Sequence, residues 1–98
     1  MSNLIANESI AIVVAQKYNS CCILLKETHY SPDLSDILLL RESKTDICIF
    51  SNFVDDLLTL FDSYNVFIIV NYEFNSFETI LFRKLIKTYT HKKLIKIG

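Results

Sequence analysis

Residues 9–16, SIAIVVAQ, decide how the rest of the chain is read. They are apolar and rich in β-branched side chains, which pack well on a pleated surface, so they predict a strand. KYNS (17–20) is a polar break of hairpin length, and CCILLKE (21–27) reads as the returning strand. THYSPD (28–33) is a loop in which Pro32 pushes Ser31 toward an extended shape. The leucine run of LSDILLLRE (34–42) also suits a short helix, but its flanking loops favour a strand. SKT (43–45) is a tight break, and DICIF (46–50) alternates with branched residues as a fourth strand.

The period then changes. In SNFVDDLLTLFDSY, Phe53, Val54, Leu57, Leu58 and Phe61 recur at helical spacing and form one apolar stripe. Ser51 or Asn52 can cap that helix, Asp55 and Asp56 suit the positive end of its dipole, and Asn65 is a stop. VFIIVNY (66–72) is the most strand-like segment of the chain. Asn75 opens a second helix, with Glu78 placed to complete a capping box, and the helix runs to about Tyr89. KLIKI (93–97) can add an edge strand blunted by its lysines. The expected fold is α+β: a mainly antiparallel sheet of five to six strands with two helices on one face, in the order ββββαβα(β). Its ordered core spans about residues 9–97.

Ninety-eight residues hold one domain. A hydrophobic fraction of 51% against 21% charged is a globular composition, not a disordered one. One glycine and one proline leave no glycine-rich phosphate loop. No apolar run approaches a membrane span, and MSNLIANESI lacks the pattern of a secretory signal. A cytoplasmic protein is therefore expected, with the nucleus as a second location. Cys21, Cys22 and Cys48 are an odd, partly adjacent set, read as reduced, buried thiols. With His29 and His91 they do not reach zinc-ligand spacing, so no metal site is expected.

Charge is unevenly placed. Residues 1–82 carry eleven acids and four bases, a net −7, whereas residues 83–98 carry six bases and no acid, a net +6. Cations near a helix C-terminus account for Arg83 to Lys87. The later Lys92, Lys93 and Lys96 lie past that turn and suggest a docking patch. No aromatic pair alternates with these bases as a base-stacking platform would need, so nucleic acid is not favoured.

Two features point outward. Ile10, Ile12 and Val14 alternate with Ala11, Val13 and Ala15, and Val66, Ile68 and Val70 alternate with Phe67 and Ile69. A sheet wet on one side would alternate apolar with polar. Two helices cover one face of such a sheet, so something else must cover the other. In the last helix, apolar residues from Phe77 to Tyr89 spread over roughly 240° at 100° per residue, more than one sheet needs. An oligomer that buries this surplus is expected.

Catalysis finds little support. No Ser-His-Asp elbow, HExxH, GKS/GKT or GxGxxG is present. Asp55 and Asp56 point about 100° apart on a helix and cannot flank a substrate. The strand and helix order also resembles the ribonuclease H fold. Nuclease chemistry there needs several converging carboxylates, and only Glu73 ends the fifth strand. A non-catalytic version of that fold, or another small interaction or nucleic-acid-binding module of a larger complex, is the alternative reading.

One resemblance covers about residues 9–88 in order and spacing. It rests on IVVAQ (12–16), CCILLKE (21–27), SDILLLR (35–41), DICIFSNFVDDLLTLF (46–61) and above all NVFIIVNYEFNSFETILFRKLI (65–86). This succession resembles the proteasome assembly chaperone 3/4 family. The resemblance implies no enzymatic activity and no cofactor. It implies a dimer, with a chaperone 4-like subunit or a second copy as the partner. That dimer would bind α-subunits of the 20S proteasome and assist early α-ring assembly. Docking is expected around the polar turn Asn71, Tyr72, Glu73, Phe74 and Asn75. The apolar residues Phe67, Ile69, Phe82, Ile86 and Tyr89 complete the expected partner-binding set.

Overall fold

The computed structural model describes residues 7–26 and 33–98. Helices and strands alternate throughout: α1 (Asn7–Ala15), β1 (Cys21–Lys26), α2 (Leu34–Ser43), β2 (Asp46–Phe50), α3 (Phe53–Leu60), β3 (Val66–Val70), α4 (Ser76–Thr88) and β4 (Lys93–Ile97). The four strands form one sheet in the order β2-β1-β3-β4, and every neighbouring pair is parallel. Ile23 pairs with Ile47 on one side and with Ile68 on the other, and Ile68 pairs with Ile95.

This arrangement overturns the expected antiparallel sheet of five to six strands with two helices. Residues 9–15 belong to helix α1, with Gln16 in the turn that follows, and residues 34–42 lie within helix α2. The physical reason is connection length. Parallel strands cannot be joined by a tight turn and need a crossover, usually a helix. Most of the loop expected at 28–33 falls outside the described residues.

Both faces of the sheet are roofed by the chain itself. Ala11, Ile12 and Ala15 of α1 pack with Cys21, Ile23, Leu25, Val66, Ile68 and Val70, and Leu39 and Leu40 of α2 join them. On the opposite face Phe53, Leu57 and Phe61 of α3 and Phe82 of α4 pack with Cys22, Leu24, Phe67 and Ile69. The expectation that a partner covers a second sheet face is therefore corrected. Strands apolar on both faces are what a parallel sheet between two helical layers requires.

Local chemistry sets the helix ends. Asp33, Asn52 and Asn75 are the N-caps of α2, α3 and α4, each accepting a backbone N–H three residues on. Asn75 and Glu78 form the anticipated capping box. Lys44 closes α2 in the left-handed conformation at φ 55°, its N–H donating to the Leu40 carbonyl. At the base of α3 the almost fully buried Lys92 donates from Nζ to the carbonyls of Phe61 (2.6 Å) and Tyr64 (2.8 Å).

The thiols are built into this interior. Cys21 and Cys22 are fully buried on opposite faces of β1, and Cys22 Sγ lies 3.3 Å from Cys48 Sγ. Burial pushes the Cys21 thiol from 9.0 up to about 11. Burial, and then the contact with Cys48, push Cys22 upward as well. The folded state therefore holds these protons more tightly than the unfolded chain does. The stabilisation is complete below pH 9 and is lost as pH rises toward 11. The urea midpoint of the wild type is expected to fall over that interval. A Cys21→Ala/Cys22→Ala variant, less stable at neutral pH, is expected to show a shallower fall in midpoint from pH 9 to 10, the remainder coming from Tyr64 and Tyr72, whose phenols are also raised.

Candidate functional site

Doubly wound parallel sheets hold ligands outside the carboxyl ends of the strands, where successive helices leave on opposite faces. In this chain that point lies between β1 and β3, since α2 packs on one face and α4 on the other. The loop after β3 is Asn71 to Asn75, part of the predicted docking turn. Its polar groups are engaged internally. Asn71, left-handed at φ 54°, accepts from Asn7 Nδ2 (2.6 Å), donates to Glu8 Oε1 (3.2 Å), and its backbone N–H donates to Ile97 (2.9 Å). Asn75 is consumed by the cap, and the buried Glu78 accepts from the Asn75 backbone and from the Tyr72 hydroxyl. Burial, then the bond to Glu78, push the Tyr72 phenol up to about 12. These groups tie β3 to α1 and α4.

The cavity of interest lies beside that turn, on the face carrying α3 and α4. There α4 and β4 flank an open groove of about 370 Å³. Its apolar lining is Ile69, Phe74, Phe82, Ile86 and Leu94; Ile95 borders it, but its side chain lies on the α1 and α2 face of the sheet. Three cations, Arg83, Lys87 and Lys96, complete the lining, and no acid does. Register explains the floor: Leu94 and Lys96 of β4 pair with Phe67 and Ile69 of β3 and so share their face. The helix period explains the wall, because Phe82, Arg83, Ile86 and Lys87 lie at i, i+1, i+4 and i+5 along one flank of α4. Phe74 stacks against Phe82 at 4.5 Å between ring centroids, and Lys96 Nζ sits 5.9 Å above the Phe74 ring.

The predicted partner-binding residues separate into three groups. Ile69, Phe74, Phe82 and Ile86 meet in the groove. Phe67 is fully buried beneath the helices, and Asn71, Tyr72 and Asn75 are structural. Glu73 is exposed, and Tyr89 sits beyond the end of α4 with its ring against Phe61 and His91. Sequence reading missed Leu94, and accounted for Arg83 to Lys87 as cations near a helix C-terminus. The signal that could have found the rim was the crowding of cations after residue 82. Only the fold shows that Lys92 is interior while Arg83, Lys87 and Lys96 surround one apolar floor.

Among the described residues no group of three His, Cys, Asp or Glu is placed to hold a metal ion, and no helix is long and apolar enough to cross a membrane. No family model matches the sequence, and neither a curated protein nor a solved structure matches it.

Proposed function

We propose that this chain, which these comparisons place in no family, is a non-catalytic binding module. Its α4/β4 groove captures an acidic segment of a partner protein that carries apolar side chains on one side. The observation that carries the reading is the groove's composition: five apolar side chains, three cations and no acid. Apolar side chains of the bound segment would displace water from Ile86, Leu94 and Phe82. Its carboxylates would meet Arg83, Lys87 and Lys96, fixing register and speeding encounter. An amphipathic helix laid in a groove is a common recognition mode with this chemistry. The groove is open rather than enclosed, which suits a peptide better than a small metabolite.

Chaperoning of proteasome α-subunits is a more specific form of the same class. It is supported by the hydrophobic pattern alone. The antiparallel sheet expected from the strand pattern is overturned by the fold, and the uncovered sheet face that called for a partner is filled by α1 and α2. The broader reading is therefore the one put forward.

The test is fluorescence anisotropy with a labelled amphipathic peptide of Glu and Leu at helical spacing. A Lys/Leu peptide of the same pattern and a single-stranded oligonucleotide serve as comparisons. The acidic peptide is expected to bind best, with affinity falling as salt screens the rim. Arg83→Glu/Lys87→Glu changes two exposed side chains and is expected to weaken binding at least about tenfold, roughly 1.4 kcal/mol, without moving the thermal midpoint. Preference for the basic peptide or the oligonucleotide would overturn the proposal.

A further inference from the structure

We infer that the opposite edge of the sheet, the corner formed by β2 and α2, is a two-fold interface with a second copy of this chain. Among the described residues strand β2 pairs with β1 alone, and its outer row of backbone groups faces no other described strand. Natural edge strands guard that row with lysine, proline or a bulge. Strand β4 follows the rule with Lys93 and Lys96. Strand β2, DICIF, carries no lysine, proline or glycine, and its Ile49 is 64% exposed. Helix α2 lies over the same part of the sheet and buries none of its ten residues completely. Leu34 (72% exposed) and Leu38 (48%) stand one turn apart on its outer side.

The second copy is argued from charge and symmetry. The first turn of α2 carries Asp33 at the cap and Asp36, a net −2, and its end carries Arg41 and Lys44 with Glu42 between them, a net +1. A two-fold axis normal to the sheet at the β2 edge sets α2 antiparallel to its mate. Each acidic end then faces a basic end, twice over, and the helix dipoles oppose. The same axis pairs β2 antiparallel with its mate. Centred on Cys48, it places Ile47 opposite the partner's Ile49. Ile47 and Ile49 register with Ile23 and Leu25 and so share the α2 face. Strand hydrogen bonds, apolar contact and opposite charges are satisfied by one operation, and the resulting eight-stranded sheet ends at two lysine-guarded β4 edges. The groove proposed above lies at the other end of the sheet and is not involved.

Sedimentation velocity on the full chain, from low micromolar to near-millimolar concentration, tests this. The mass is expected to rise from 11.4 kDa toward twice that value. Hydrogen exchange of the 46–50 amides is expected to slow in parallel. Ile49→Lys and Leu38→Glu alter exposed side chains and are expected to leave the circular dichroism spectrum unchanged while holding the chain monomeric. Arg83→Glu/Lys87→Glu should leave association intact. A wild type that stays monomeric throughout, or a dimer that survives Ile49→Lys and Leu38→Glu, would overturn the inference.

Discussion

Phe82→Ala is expected to lower the unfolding free energy by about 3–5 kcal/mol, the range for truncating a buried phenylalanine. Phe82 is buried in the aromatic cluster between α4 and the sheet. Its ring lies 4.5 Å from Phe74 and 5.3 Å from Phe53, while Phe53 in turn stacks on Tyr72 at 4.6 Å. Removing it takes away the ring that Phe53 and Phe74 pack against and widens the neighbouring groove, while the capping box of Asn75 and Glu78 holds the start of α4 in place. Denaturant unfolding followed by circular dichroism measures the loss. Phe77 on the same helix is 65% exposed, and Phe77→Ala is expected to stay within about 0.5 kcal/mol of the wild type. Equal losses for the two variants would show that α4 is seated by another face. That result would also displace the groove, since Phe82 forms part of its wall.

The second large effect belongs to Lys92. Its ammonium closes the end of α3 by donating to two carbonyls, Phe61 and Tyr64, and lies 5.1 Å from the centre of the Phe61 ring. A cation suits the negative end of a helix dipole, and burial leaves no water to replace it. Lys92→Met keeps the aliphatic length but strips both carbonyls of their donor. The expected loss is about 2–3 kcal/mol, the scale for hydrogen bonds from a charged group. Lys84→Met, on an exposed position of α4, is expected to change little. Thermal or urea unfolding of the two variants side by side gives the comparison. A Lys92→Met protein as stable as the wild type would mean that those carbonyls find other partners.

These two residues also mark where sequence reading succeeds. Phe82 falls on the apolar stripe of a helix whose start is signalled by Asn75 and Glu78, so its burial follows from spacing alone. Lys92 could not be found that way. In the sequence it is one of six cations in the last sixteen residues, and only packing separates the interior one from those on the surface.

What the sequence determined by itself is local. The strands at 21–26, 46–50, 66–70 and 93–97, the helices at 53–60 and 76–88, their caps and the charged C-terminal end are all legible, because each depends on neighbours a few residues away. The segments 7–15 and 34–43 are different. In IAIVVA and ILLL adjacent positions are apolar, so periods of 2 and of 3.6 fit equally well and β-branched composition pulls toward a strand. The tertiary structure decided them. Once β1 lies parallel to both β2 and β3, the chain must cross over, and both faces of the sheet must be covered. As helices, α1 and α2 do both: α2 carries the crossover from β1 to β2, and the two together bury Ala11, Ile12 and Ala15 beside Leu39 and Leu40 against the strands.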